Sequence, residues 1–151
     1  MDQTQAFEWY ERYKNGIYRY VLTITKDPYL AEDVLHDTFV KVLSQGNLFD
    51  PAKVQAWLYR VARNLCYDYL RKSRREQDYL LPPADGESPY TYIEMIAHLS
   101  TKEQEIVTLK IVGGLTHREI GTVLGISAKA AQKRYERAIS TLREKEETDG
   151  T

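Results

Sequence analysis

Thr116-His-Arg-Glu-Ile-Gly-Thr-Val-Leu-Gly-Ile-Ser-Ala-Lys-Ala-Ala-Gln-Lys-Arg-Tyr-Glu-Arg-Ala-Ile-Ser-Thr-Leu142 reads as a short helix, a tight turn and a longer helix. Thr116 followed three residues later by Glu119 has capping-box spacing, which starts the first helix. Gly125 suits a left-handed turn residue and Ile126 a plug between the two helices. Ser127 is placed to cap the final helix, expected over 128–145. In that helix Ala131, Tyr135, Ala138 and Leu142 share the inner stripe. Lys129, Gln132, Lys133 and Arg137 fall outside it, and Arg134 sits at its edge, open to a phosphate or to an internal carboxylate. The outline is a helix-turn-helix, with an ordinary antiparallel helix pair as the bland alternative. Amides and cations at the start of the second helix suit base edges: Gln132 suits adenine, and Lys129 and Lys133 suit guanine or phosphate.

Working back along the chain, Gly113-Gly114 stops a preceding helix that Ser100-Thr-Lys-Glu103 opens with the same capping spacing. Ser88-Pro89 is read as the start of a short helix running to about Leu99. Before it, residues 76–89 are acidic, hold three prolines and a glycine, and show no period, which is the composition of a linker. Asp50-Pro51 and Asp27-Pro28 each pair an N-cap residue with proline at the first helical position. They open helices over about 51–74 and 28–44. A further helix covers about 4–25, with Phe7, Tyr10, Ile17, Val21 and Ile24 on one stripe and Asn15-Gly16 read as a bend or break. In the second helix Leu30, Val34, Leu35, Val42 and Leu43 are expected inward. The fold expected is all-α: a three-helix N-terminal bundle and a C-terminal helix-turn-helix domain joined by an acidic, proline-containing linker. The limits expected are 1–75, 76–92 and 93–151.

Charge is segregated although the 151-residue chain carries only −1 in total. Residues 51–75 hold seven basic side chains and one acid, Asp68; residues 76–99 hold five acids and no base. Residues 127–143 hold five bases and one acid. In the third helix, Val54, Leu58, Val61, Leu65 and Tyr69 recur on one side. Arg60, Arg63, Asn64, Tyr67 and Arg71 fall opposite, at about 100° per residue. Trp57 borders both faces, and Trp57, Tyr59 and Tyr69 all remain open to a core role. Guanidinium groups neutralise phosphate, and rings and amides among them hold unpaired bases. A merely solvated surface is the alternative.

Other classes find little support. The single cysteine, Cys66, read as an inert residue on the flank of the third helix, cannot form an internal disulfide. With three histidines, it excludes a cysteine-rich zinc site. Glu32/His36 and Asp33/Asp37 are i,i+4 pairs, but no matching ligand set occurs elsewhere, so no metal is expected and the acidic face suits a basic partner or water. No nucleophile motif or phosphate-cradling glycine loop appears, so neither catalysis nor a cofactor is expected. No apolar run approaches the roughly 18–20 residues of a membrane span. The N-terminus lacks the basic start and apolar core of a signal peptide, and a cytoplasmic protein is expected.

Three segments in order resemble the extracytoplasmic-function sigma factors, the small members of the sigma-70 family of bacterial RNA polymerase subunits. They are Ala31-Glu-Asp-Val-Leu-His-Asp-Thr-Phe-Val-Lys-Val-Leu43, Ala56-Trp-Leu-Tyr-Arg-Val-Ala-Arg-Asn-Leu-Cys-Tyr-Asp-Tyr-Leu-Arg-Lys72, and Leu99-Ser-Thr-Lys-Glu-Gln-Glu-Ile-Val107 with Leu115-Thr-His-Arg-Glu-Ile-Gly121. The resemblance covers about 5–144. It implies that Asp33, Asp37, Phe39 and Lys41 contact the clamp of the polymerase beta-prime subunit. It implies that the third helix (Trp57, Arg60, Arg63, Asn64, Tyr67, Arg71), with the loop from Ser44 to Asp50, captures the melted −10 element. It also implies that the last helix (Lys129, Gln132, Lys133, Arg134, Arg137) enters the major groove of the −35 element, its domain packing on the beta flap. Glu76, Asp78, Asp85 and Glu87 of the linker would imitate a phosphate backbone. With no further sensory domain expected in the chain, regulation by a separate anti-sigma factor is the expectation. Ala128-Lys-Ala-Ala-Gln-Lys-Arg-Tyr-Glu-Arg-Ala138 departs from the family's more common Thr-Val-Lys-Ser-Arg run, with Tyr135 where an aliphatic residue is usual, and leaves the −35 sequence open. A stand-alone helix-turn-helix regulator, or a sigma-like scaffold that binds polymerase without opening DNA, are the competing readings.

Overall fold

The computed structural model describes residues 3–45, 50–73 and 89–149. The described residues form helices and short joints, with no strand among them, and belong to two units, Met1–Pro82 and Pro83–Thr151. Residues 46–49 of the expected capture loop, and the linker acids Glu76, Asp78, Asp85 and Glu87, lie outside the described residues. Among the described residues no helix is long and apolar enough to cross a membrane.

The first unit is built from α1 (Gln3–Thr25), α2 (Pro28–Ser44) and α3 (Val54–Ser73), each packed on the other two. Asp27 accepts from the amides of Tyr29 and Leu30 and starts α2 at Pro28. Asp50 does the same for Ala52 in a 3-10 turn, Pro51–Lys53, that leads into α3. These caps use carboxylates to satisfy amides that have no partner in the first turn. The core joins Ile17, Tyr20 and Val21 of α1, Ala31, Val34 and Val42 of α2, and Leu58, Tyr59, Ala62 and Cys66 of α3. Tyr20 and Tyr59 meet edge to face at 5.5 Å. Lys26, in the joint between α1 and α2, has φ 58°, a left-handed conformation uncommon outside glycine. Its ammonium donates to the Thr23 carbonyl, and burial pulls its pKa down.

Several expectations change here. Asn15-Gly16 does not break α1, which runs through both. Ile17 is wholly buried directly after the glycine, and packing of that kind outweighs the roughly 1 kcal/mol propensity cost of one glycine. Phe7 is exposed, while Trp9 is buried in the first turns of α1. Leu30, Leu35 and Leu43 are half-buried, whereas Thr38 and Phe39 are buried. The inward stripe of α3 runs through Val54, Leu58, Tyr59, Ala62 and Cys66, with Val61, Leu65 and Tyr69 half-buried at its side. That is a rotation of roughly 60° from the predicted stripe. Cys66 therefore lies in the core and not on the flank.

The second unit holds α4 (Pro89–Met95), α5 (Thr101–Val107), α6 (His117–Leu124) and α7 (Ala128–Asp149). Pro89 begins α4, where the Ser88-Pro89 signal places a short helix, so residues 89–92 of the expected 76–92 stretch are helical, and α4 ends at Met95 rather than near Leu99. Both capping boxes form: Ser100 with Glu103, and Thr116 with Glu119. Replacing Thr116 by alanine is expected to cost about 1 kcal/mol, read as a lower urea midpoint for this unit; an unchanged midpoint would show that the cap contributes nothing. α5 continues as one π turn, Thr108–Val112, closed by the Gly113 amide on the Thr108 carbonyl at 3.0 Å. Gln104 is buried, and its amide donates to the carbonyls of Ile96 and Leu99, both at 3.0 Å. One side chain thus supplies a donor to the Leu99 carbonyl and a second donor to the Ile96 carbonyl, which also accepts from the Leu99 amide, just past the short α4. α7 packs against both α5 and α6 through Ala131 and Ala138, which are wholly buried.

Candidate nucleic-acid interface

The rotation of α3 clarifies its outer side. With the core stripe centred near Ala62, the residues Arg60, Asn64 and Arg71 point most directly away from it, Trp57 and Tyr67 lie about 40° to either side of that direction, and Arg63 lies toward one flank. Asn64 and Arg71 are exposed, Trp57 is 38% exposed, and Arg60, Arg63 and Tyr67 are half-buried. The rings on this face are held by guanidinium groups. Arg63 lies over the Tyr67 ring at 4.8 Å and Arg60 over the Trp57 ring at 5.9 Å. Such pairing orients both the ring and the cation at small cost, since each stays accessible. Asp68 forms an exposed ion pair with Arg71, one turn apart, which is worth little in water.

A shallow groove runs along this face, lined by Arg63, Asn64, Tyr67, Asp68 and Arg71 of α3 and by Lys41 of α2. Cations for phosphate, an amide for a base edge and a ring for stacking therefore share one open track, the set a single strand requires. Lys41 was expected on a different surface. It lies one turn beyond Asp37 on α2, and Asp37 accepts a hydrogen bond from the Tyr69 hydroxyl of α3. That bond joins the two helices across their packed faces, a relation that no pattern within either helix reveals.

The face of α2 divides accordingly. Asp33 is exposed and Asp37 is half-buried beside Tyr69. Phe39 does not belong to that surface: it is buried, edge to face with Tyr10 at 5.0 Å. Its role is packing of α2 on α1, because a ring in the core cannot reach a partner without opening the bundle. Tyr69 has its pKa raised, chiefly by donating to Asp37, then by partial burial and by the charges of Asp37 and Asp33. A raised phenol pKa stabilises the fold fully below the unfolded value of about 10 and loses that contribution as pH rises through the folded value. The stability gap between the natural chain and Tyr69→Phe should therefore be constant at neutral pH and close above about pH 10. A gap that persisted into strong alkali would show that the hydroxyl's bond is not its source.

In the second unit the turn between α6 and α7 follows the expected chemistry. Gly125 is left-handed at φ 72°, and its amide and that of Ile126 both donate to the Gly121 carbonyl, at 2.8 and 3.0 Å. Gly121 itself abuts the turn: a Cβ there would lie 2.5 Å from the Ile126 carbonyl oxygen. Ser127 accepts from the Ala130 amide at 3.0 Å and caps α7. Lys129, Gln132, Lys133 and Arg137 are exposed, and Arg134 is half-buried. Tyr135 is half-buried with its ring 6.0 Å from that of His117. The Gln132 amide is already engaged, donating to Glu136 at 3.1 Å. Glu136, absent from the expected set, lines a shallow groove with Lys133, Arg137, Ser140 and Thr141. The i,i+4 spacing of Gln132 and Glu136 was the available signal.

The Sigma-70 region 2 family model matches residues 9–76, and the Sigma-70 region 4 model matches residues 91–142. The chain is similar to the ECF RNA polymerase sigma factor SigM of Bacillus subtilis, 33% identical over 133 residues that cover 80% of this chain and 82% of that protein. It is also similar to the ECF RNA polymerase sigma factor SigE of Mycolicibacterium smegmatis, 26% identical over 166 residues, and there it spans 63% of the relative's length. Among solved structures it matches the sigma factor RpoE in complex with the anti-sigma factor NepR from Bartonella quintana, with a TM-score of 0.75 and 20% identity. That match covers 91% of this chain and 93% of that one, and it shows a shared fold.

Proposed function

This chain belongs to the sigma-70 family of RNA polymerase sigma factors, in the extracytoplasmic-function group, and from that premise we propose how its parts divide the recognition of a promoter. Residues 1–75 form the domain that binds core polymerase and the −10 element, residues 93–151 form the domain that binds the −35 element, and the chain between tethers them. Asp33 and Asp37 of α2 meet the beta-prime clamp. Trp57, Arg60, Arg63, Asn64, Tyr67 and Arg71 of α3 hold the melted non-template strand of the −10 element. Lys129, Gln132, Lys133, Arg134 and Arg137 of α7 enter the −35 major groove, and the second domain rests on the beta flap. The protein acts in the cytoplasm, has no catalysis of its own, and is held in check by an anti-sigma factor, the kind of partner bound by the structurally similar RpoE.

The observation that carries this reading is the α3 groove. A helix that only positions duplex needs cations alone. One that keeps a base out of its stack also needs rings and amides, and here Tyr67 and Asn64 stand between Arg63, Arg71 and Lys41. The deciding experiment is run-off transcription by purified core polymerase on a promoter library, with and without the protein. Defined transcripts should appear only with it, while the protein alone should bind promoter duplex weakly. Tight, sequence-specific duplex binding without polymerase, and no transcripts with it, would replace this reading with that of a stand-alone regulator.

A further inference from the structure

We propose that Glu136 is a specificity-determining residue of α7, accepting a hydrogen bond from the exocyclic amino group of one cytosine in the −35 element. The inference rests on the reading of α7 as the −35 helix and adds a residue and a base to it.

The starting point is a carboxylate on a face that is otherwise basic, in a segment with five bases and one acid. By helical phase Glu136 lies about 150° from the midpoint of the buried Ala131–Ala138 stripe, farther out than Arg137 and Gln132 at about 110° on either side. Glu136 is exposed. Among the described residues no ion pair ties it to Lys133 or Arg137; it is held by the Gln132 amide at 3.1 Å instead. That bond engages Oε1, and Glu136 lines a groove together with Lys133 and Arg137, so Oε2 is the acceptor we assign to the base.

Major-groove chemistry then narrows what Oε2 can meet. A carboxylate is an acceptor only. Guanine offers N7 and O6 and thymine offers O4 and a methyl group, so both leave it unpaired or repelled. Adenine has a donor at N6, but the adjacent N7 acceptor repels the carboxylate. Cytosine presents its N4 amino group with no acceptor on its own edge. Lys133 and Arg137 beside it would bind phosphate or guanine and offset the repulsion between Glu136 and the DNA backbone. A wrong base leaves a desolvated charge with the Gln132 amide alone to offset it, which is why the acid discriminates more sharply than it attracts. The bond from Gln132 restrains the carboxylate rotamer and lowers the entropy lost on contact.

The test is transcription by core polymerase with the full chain on a library randomised across the −35 region, comparing the natural protein with Glu136→Gln. Glutamine keeps the size and a bond to Gln132 but carries both a donor and an acceptor, the adenine pattern. The natural protein should enrich cytosine at one position by about tenfold. Glu136→Gln should abolish that enrichment, raise adenine at the same position, and leave the other −35 positions unchanged. A −35 preference without cytosine, or one whose cytosine survives in Glu136→Gln, overturns the inference and leaves the role of α7 standing. Loss of all −35 dependence in the natural protein overturns both.

Discussion

Arg60, Asn64 and Tyr67 replaced together by alanine should leave core polymerase binding nearly intact and reduce promoter opening by about 10²- to 10⁴-fold. The magnitude follows from the contacts the groove offers. Stacking of one base on an aromatic ring is worth about 1–3 kcal/mol by alanine substitution, and each 1.4 kcal/mol is a factor of ten. Tyr67 supplies that ring, stacked under Arg63 at 4.8 Å. Asn64 is exposed and supplies the amide, and Arg60, half-buried beside Trp57, supplies a cation. The fold should tolerate the change: none of the three is in the core, and alanine is the better helix former. The separation of effects is the informative part. Asp33 is on α2 and does not line the α3 groove, so core binding measured by native gel should be nearly unaffected while permanganate reactivity of −10 thymines collapses. Equal loss of both would show that α3 is part of the polymerase contact and would end the division of roles.

Much of this was legible before the fold was known, for reasons local to the chain. Caps are local chemistry, so Asp27, Ser100, Thr116 and Ser127 announced their helices directly, and each makes its bond. Gly125 announced the turn because left-handed backbone favours glycine. What stayed hidden depends on packing between helices. Phe39 matched a surface motif yet is buried against Tyr10, and Tyr69 matched an inner stripe yet turns its hydroxyl to Asp37. In α3 the period was right and the phase was wrong, because Tyr59, Ala62 and Cys66 are as suited to the core as Val61 and Leu65. Small residues let helices approach closely, and hydropathy alone does not weigh that. Lys41 joined the candidate strand-binding groove through the register of α2 on α3, a relation between segments. Gln104 is polar and reads as surface, yet it is buried because it completes the end of another helix.

The second large effect is expected at a residue that touches no DNA. Gly121→Ala pits two terms against each other. Alanine inside a helix is favoured over glycine by about 1 kcal/mol, so propensity alone predicts a gain. Against it stands the Ile126 carbonyl oxygen 2.5 Å from where the Cβ would sit, with the backbone of Ser127 and Ala128 at 3.3 and 3.4 Å. These are backbone atoms of the turn and cannot swing aside as a flexible side chain would. Relief requires α6 to part from the turn that sets the angle of α7, and overpacking of this kind costs about 1–3 kcal/mol, or more where the backbone must move. The steric term wins, with a net loss of about 2 kcal/mol. Because α7 carries the proposed −35 contacts, the displacement should also abolish −35 discrimination while transcription from promoters relying on the −10 element persists. Amide hydrogen exchange should accelerate in α6 and the first turns of α7 and remain unchanged in α1–α3. Gly125→Ala is the control: nothing lies within 4 Å of its added Cβ, so only the left-handed conformation at φ 72° is penalised, by about 1 kcal/mol. If Gly121→Ala proved the milder of the two, the close approach of α6 to the turn would not be what fixes the recognition helix.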